Sequence, residues 1–360
     1  MSRTSRIEYS YKGENHTLRE WSKITGISYG TLYSRILDHK WSLEDAFNKP
    51  VRKKKSKNDT KNAEIEKETP KIEVISSQIK EPKTKFNLSD DNYYSNEANL
   101  VYCSASQFKD FVGFPLKPGC EERALKSIKG EYRQENTKAL LQGSLLDALW
   151  ENDDPEYIME RFPDCVSTRG VTKGQLKSEY QQVMDMYQRT LREEKFCAYM
   201  SGNKQTIMTG TIEGLDFKIK MDSYIEGKAI VDLKTTKSLD RNLRYYIPDS
   251  GERLPFYLAY GYDTQLAIYR EIVRQNTGDK LRCYIAAVDK DAHPTCDIIE
   301  LNNKLLDDAL EHVKSHCNHI IMLKKGEIEP IRCERSECDY CRDTHKCQVI
   351  SSEEFELSDE

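Results

Sequence analysis

No run of apolar residues in the 360-residue chain approaches the ~20 that a membrane-crossing helix needs, so a membrane role is not expected. Met1-Ser-Arg-Thr does not open an export signal, and the sequence therefore predicts a cytoplasmic protein. Without export, the eleven cysteines are not expected to form disulfides. They are an odd, scattered set with four crowded near the C-terminus, and such crowding points to metal or cluster ligation. Residues 49–90 are poor in aromatics and rich in Lys, Glu and Asn, and cannot bury enough surface to order themselves. What remains, at 38% hydrophobic and 32% charged, suits one large domain and a small one.

The net charge of −5 hides an asymmetry: residues 1–57 hold 13 Lys and Arg against 6 Asp and Glu, so the rest of the chain is strongly acidic. A basic N-terminal module on an acidic body suggests that polyanion contact begins at the N-terminus.

The chain is organised around Gln205–Lys234. Leu215, Phe217, Ile219 and Met221 alternate with Asp216, Lys218, Lys220 and Asp222, the period of a strand with one apolar face. Glu226-Gly227 breaks the run, and Ala229 to Lys234 resumes it as a second strand. Asp232 and Lys234 leave the same face of that strand. An odd loop, Glu226 to Lys228, would set Asp222 opposite Asp232; an even loop would set it opposite Val231. Two carboxylates and a lysine converging there would suit a hard divalent cation beside an ammonium. Charged residues on exposed strand faces are ordinary, however, and the pattern alone is weak.

Along the chain, residues 17–37 read as helix, tight turn, helix. Leu18, Trp21 and Ile24 form one stripe, Gly26 the turn, Ser28 an N-cap, and Leu32, Ile36 and Leu37 the second stripe. Ser42 with Asp45 starts a third short helix. This all-α module, residues 1–48, looks like the helix-turn-helix that phage endonucleases often carry near a terminus. The resemblance implies that Ser28, Tyr29, Thr31, Tyr33, Ser34 and Arg35 enter a major groove; a three-helix element for protein contact is the alternative. A charged linker is expected over 49–92, a main domain over 93–350 and an acidic tail over 351–360. In the main domain, helices are expected over 104–112, 120–129, 137–151, 173–199, 255–276 and 302–324, and strands over 281–288 and 297–301. That order suits an α/β mixed sheet covered by helices.

Gly143-x-x-x-Asp147, Asp222, Asp232-Leu233-Lys234 and Gln265-x-x-x-Tyr269, in this order, resemble the PD-(D/E)xK nuclease superfamily. More narrowly the chain is similar to phage RecE-type and RecB-type nuclease domains, and Ser104-Ala-Ser-Gln-Phe-Lys109 looks like the start of such domains. The likeness covers roughly residues 100–350 and implies a restriction-endonuclease-like fold. Carried over, it makes Asp222, Asp232 and the Leu233 carbonyl ligands of Mg²⁺ or Mn²⁺, and sets Lys234 beside the scissile phosphate. Gln265 and Tyr269 would sit beside the site. The family commonly has His where this chain has Asp147, and a carboxylate there still suits an oxygen-seeking ion.

The C-terminal run is Cys333-x4-Cys338-x2-Cys341-x5-Cys347. All four thiols would suit a structural Zn²⁺, with His345 able to replace one. Alternatively Cys120, Cys338, Cys341 and Cys347 would hold a [4Fe–4S] cluster, leaving Cys333 spare. The second scheme resembles AddB and the CRISPR-adaptation nucleases, which makes the cluster the favoured cofactor. The remaining cysteines are expected to be packing residues.

The resemblance thus implies a metal-dependent deoxyribonuclease, an exonuclease working 5′ to 3′ on double-stranded ends for phage-type recombination in a bacterial host. Double-stranded DNA ends, a single-strand annealing protein and a homo-oligomer are the partners that the resemblance implies. A sequence-directed endonuclease and an inert DNA-binding scaffold are the alternatives.

Overall fold

The computed structural model describes residues 9–12, 14–16, 21, 24–25, 27, 32, 35–36, 41–49, 86–151, 155–333, 338–347, 349 and 351–352. The chain divides into two units, residues 1–80 and 81–360.

The first unit opens on a hairpin, β1 (Tyr9–Tyr11) with β2 (Glu14–His16), so the module is not all-α as the helical periodicity suggests. Trp21, Ile24, Thr25 and Leu32 are helical, and α1 spans Leu43–Asn48, capped by the Ser42 hydroxyl accepting from Asp45 N. Trp21, Ile27, Leu32, Ile36, Ala46 and Phe47 form a small core of their own. Ile24, expected in that stripe, is 55% exposed. Apart from its ends the expected linker lies outside the described residues, as does most of the expected tail.

The second unit runs α2 (Asn96–Val101), α3 (Ala105–Val112), β3 (Gly113–Phe114), β4 (Lys117–Pro118), α4 (Glu121–Ile128), α5 (Lys138–Glu151), α6 (Pro155–Arg161), α7 (Ser178–Leu191) and α8 (Glu194–Tyr199). It continues with β5 (Thr206–Ile212), β6 (Leu215–Met221), β7 (Ser223–Ile225), β8 (Ala229–Thr236), β9 (Tyr245–Tyr246), β10 (Arg253–Leu254), α9 (Phe256–Ala259) and α10 (Tyr262–Thr277). Then come β11 (Arg282–Asp289), β12 (Cys296–Leu301), α11 (Asn303–Lys325) and α12 (Asp339–Asp343).

A four-stranded sheet ordered β12-β11-β8-β7 forms the centre, parallel between β8 and β11 and antiparallel elsewhere. Residues alternate faces along a strand, so both faces of β8 and β11 must be covered. Ile230, Cys283, Ile285 and Ala287 pack with α10 and α11 in one core. Val231, Leu233, Tyr284, Ala286 and Val288 pack with α5, α7 and α8 in the other. Among the described residues no helix is long and apolar enough to cross a membrane.

The run 215–222 does not form a hairpin with β8, because β6 pairs instead with β5 across Glu213-Gly214. The chain then breaks at Asp222, and only the short β7 pairs with β8. Lys218 is buried rather than solvated; its ammonium bonds the Tyr93 carbonyl and Asn99 Oδ1, the latter at 2.7 Å.

Candidate active site

The parity that puts Ile230 against α10 also turns Asp232 and Lys234 towards that helix. Ile225 pairs with Ala229 and Ser223 with Val231, so the three-residue loop holds, and continuing the register sets Asp222 opposite Asp232. Asp222 Oδ2 accepts the Leu233 amide at 2.8 Å, and Oδ1 lies 3.5 Å from Gln205 Nε2. Asp232, 2% exposed, accepts from Gln265 Nε2 at Oδ1 (2.8 Å). Its Oδ2 is ion-paired with Lys234. A buried carboxylate needs such a charged partner, since burial without one is costly. Lys234 Nζ also donates to the Leu233 carbonyl at 3.2 Å and sits 5.2 Å from the Tyr262 ring centroid.

One face of α10 supplies the support, since residues four apart are stacked. Gln265 Nε2 is 3.1 Å from Tyr269 Oη, which donates to the Lys220 carbonyl at 3.2 Å. Helix α10 is preceded by Gly261, whose φ of +63° strains any larger residue; an added Cβ there would also stand 3.1 Å from Phe114 Cβ and 3.2 Å from Lys109 Cδ.

Asp147 arrives from α5. Gly143 lies one turn earlier on the same face, next to Thr235 of β8; a Cβ added there would stand 3.8 Å from the Thr235 hydroxyl, an ordinary contact distance. Burial, then the charge of Asp222, pushes the Asp147 carboxyl well above the carboxylate range, with Lys234 opposing. Asp222 is pushed up to about 6 by burial and by Asp232, against Lys234 and the Leu233 amide. Lys234 is held charged: burial opposes its charge, but Asp232 and Asp222 outweigh that.

Three carboxylates thus gather around one ammonium, leaving a surplus of negative charge that burial makes expensive. A hard divalent cation fits this donor set of carboxylate oxygens and a backbone carbonyl. Asp147, Asp222, Asp232 and the Leu233 carbonyl are the residues that would hold it. Even so, the carboxylates form an open set. Among the described residues, the one group of three or more side-chain ligands lying within 4.8 Å of one another is Cys120, Cys333, Cys338 and Cys341. Cys333 stands where Cys347 was expected; Cys347 is exposed.

Lys109 and Tyr262 lie beside the site although the motifs give neither a role there, Lys109 only closing the Ser104–Lys109 motif. Burial and the nearby Lys234 lower Lys109 to about 8, and its ammonium lies 5.3 Å from the Tyr262 ring centroid. Tyr262 stands three residues before Gln265 on the same helix, and that spacing could have marked it. Nothing in the sequence ties Lys109 to β8.

Of the expected groove-reading residues, Tyr29, Thr31 and Tyr33 (with Ser28 and Ser34) lie outside the described residues. Arg35 is buried at 7% exposure, donates to the Ala46 carbonyl at 2.6 Å and lies over the Trp41 ring. It braces the module from inside instead of facing outward, because α1 folds back over it.

The profile of a family described as a PDDEXK-like domain of unknown function matches residues 104–344. A crystal structure of a protein from Eubacterium rectale, described as a candidate exonuclease, is 39% identical with a TM-score of 0.70. That match covers 76% of this chain and 99% of the other. A second solved structure, SSO0001, is 14% identical with a TM-score of 0.27 over 61% of this chain and 90% of its own, too remote to carry an argument. Among curated proteins none matches.

Proposed function

This chain belongs to the PDDEXK-like domain family, and from that premise we propose that it is a divalent-metal-dependent deoxyribonuclease, an exonuclease acting on double-stranded DNA ends. The observation that carries the proposal is the Asp232 carboxylate: buried, held by Gln265 at one oxygen and ion-paired with Lys234 at the other. Asp222 is fixed beside it through the intervening Leu233 amide. When bound, Mg²⁺ or Mn²⁺ would supply Lewis acidity and a nucleophile from water at neutral pH. The chain's own residues orient and balance charge. Gln265 and Tyr269 hold Asp232 in place, while Lys234 offers a fixed positive charge to the phosphate as negative charge develops there. Resemblance supplies the finer expectations: 5′-to-3′ polarity, single strands made for phage-type recombination, an annealing partner and a homo-oligomer.

The test is incubation with linear and with covalently closed circular DNA, with Mg²⁺, Mn²⁺ or chelator. Degradation of linear DNA alone, abolished by chelator, is expected, and end-labelled substrates then read polarity. Nicked circles would favour the sequence-directed endonuclease. Silence on both substrates would refute a nuclease and leave a DNA-binding scaffold.

A further inference from the structure

The cysteine set shares no residue with the carboxylate site and makes its own small core with Tyr340, flanked by Tyr132. Cys120 is the residue before α4, Cys338 the residue before α12, and Cys333 follows α11 by eight residues. Cys120 Sγ is 3.6 Å from Cys341 Sγ, and Cys333 Sγ is 3.7 Å from the same atom. All four sulfurs lie within 4.8 Å of one another, though none is in a disulfide. Three of the four are buried and Cys338 is half-buried; convergence of all four sulfurs, not burial, sets them apart from the packing cysteines.

The spacing discriminates between ligands. Four thiolates sharing one zinc ion at ~2.3 Å occupy the corners of a tetrahedron whose edge is about 3.8 Å. Thiolates on a four-iron cluster each take a separate iron, which holds the sulfurs apart by the width of the cluster. The 3.6 and 3.7 Å separations match the tetrahedron edge, and no pair of the four exceeds 4.8 Å. A second observation concerns charge. Arg123, 4% exposed, gives one guanidinium nitrogen to Asp110 at 2.8 Å and leaves Nε buried without a partner. It lies close enough to Cys338 and Cys120 for their charge to act on it. A buried cation beside Cys338 and Cys120 is placed to offset part of the thiolate charge when a metal holds those sulfurs.

We propose that Cys120, Cys333, Cys338 and Cys341 bind one structural Zn²⁺ and that Cys347 takes no part. Binding releases the four thiol protons and leaves a site of net charge −2, which Arg123 partly offsets. The ion would tie the segment after α11 to the start of α4, joining residues 221 apart in sequence. The same two regions are already laced together: Ile331 N donates to Glu121 Oε2 at 2.9 Å, and Tyr340 Oη to Glu122 Oε1 at 2.7 Å. This proposal does not depend on the nuclease activity.

The test uses the full chain, purified without oxygen from cells supplied with both iron and zinc. One zinc per chain, no acid-labile sulfide and a colourless solution are expected. Iron, with or without sulfide, or a metal-free protein would overturn the proposal. X-ray absorption at the zinc edge of the unaltered protein should find four sulfur neighbours; a nitrogen or oxygen among them would overturn it. Cys347→Ser should keep its zinc, whereas Cys333→Ser should lose it. Should Cys333→Ser not fold, alkylation of the native protein decides: Cys347 should react and Cys333 should be protected, and the reverse would overturn the assignment.

Discussion

Replacing Asp222 by asparagine (Asp222→Asn) should make the metal-free protein more stable while destroying its activity. The carboxyl is pushed from 3.8 to about 6, first by burial and then by Asp232. At neutral pH the fold therefore holds a charge that it disfavours. About two pKa units correspond to roughly 3 kcal/mol, so a neutral amide should add about 1–3 kcal/mol in chelator. The sign follows from linkage. Because the folded value lies above the unfolded one, the stability from the neutral carboxyl is complete below 3.8 and is lost as pH rises through about 6. The Asp222→Asn protein would keep that stability at all pH, since the amide carbonyl can still accept the Leu233 N–H. Thermal melts of both proteins in chelator should differ by several degrees at neutral pH, taking ~2–4 °C per kcal/mol. The difference should vanish below pH 3.8. Adding Mn²⁺ should raise the wild-type melting temperature and not that of the variant. A variant no more stable than wild type at neutral pH, or a gain that persists in acid, would refute the reasoning.

Asp232→Ala and Lys234→Ala should each abolish metal-dependent DNA cleavage in a gel assay. Lys234→Ala should also cost about 3 kcal/mol in urea melts, because it strands a buried carboxylate. Gln265→Leu, which removes the donor to Asp232 Oδ1, should lower kcat more than it raises KM and cost about 1–2 kcal/mol in stability. Asp307→Ala leaves the buried Arg270 with Asn303 alone and should cost about 2 kcal/mol without altering cleavage at saturating metal. Gly119→Ala should lower the melting temperature, since a Cβ there would stand 2.2 Å from the Phe111 carbonyl oxygen.

Much of the second unit was legible because its periodicities are long and its breaks are marked. The helices expected over 104–112 and 302–324 form with ends shifted by a residue, whereas the one expected over 255–276 is split at Gly261 into α9 and α10. The partner of β6 was not legible. Alternation says that a strand has two faces but not which neighbour it pairs with, and β5 competes successfully for the edge of β6. Lys218 reads as solvated by the same alternation, yet the Tyr93 carbonyl and Asn99, more than a hundred residues away, hold it inside. Long-range capture of this kind leaves no local trace. The choice of Cys333 over Cys347 is similar: spacing defines a set of thiols, and only the packing of the segment after α11 against α4 selects among them.

The break at Asp222 explains how the site can keep a disfavoured acid in place. Past the Ser223–Val231 pair, β8 continues towards Leu233 without a strand beside it, and its amides would be left open on that side. The Asp222 carboxylate takes the place of the missing strand carbonyl and accepts the Leu233 amide. A hydrogen bond of this kind favours the ionised form and opposes, without cancelling, the burial that raises the pKa. Because the amide belongs to the residue between Asp232 and Lys234, the bond also fixes Asp222 relative to both. The same irregularity that hid the strand pairing from the sequence is what brings the acid to the end of β8.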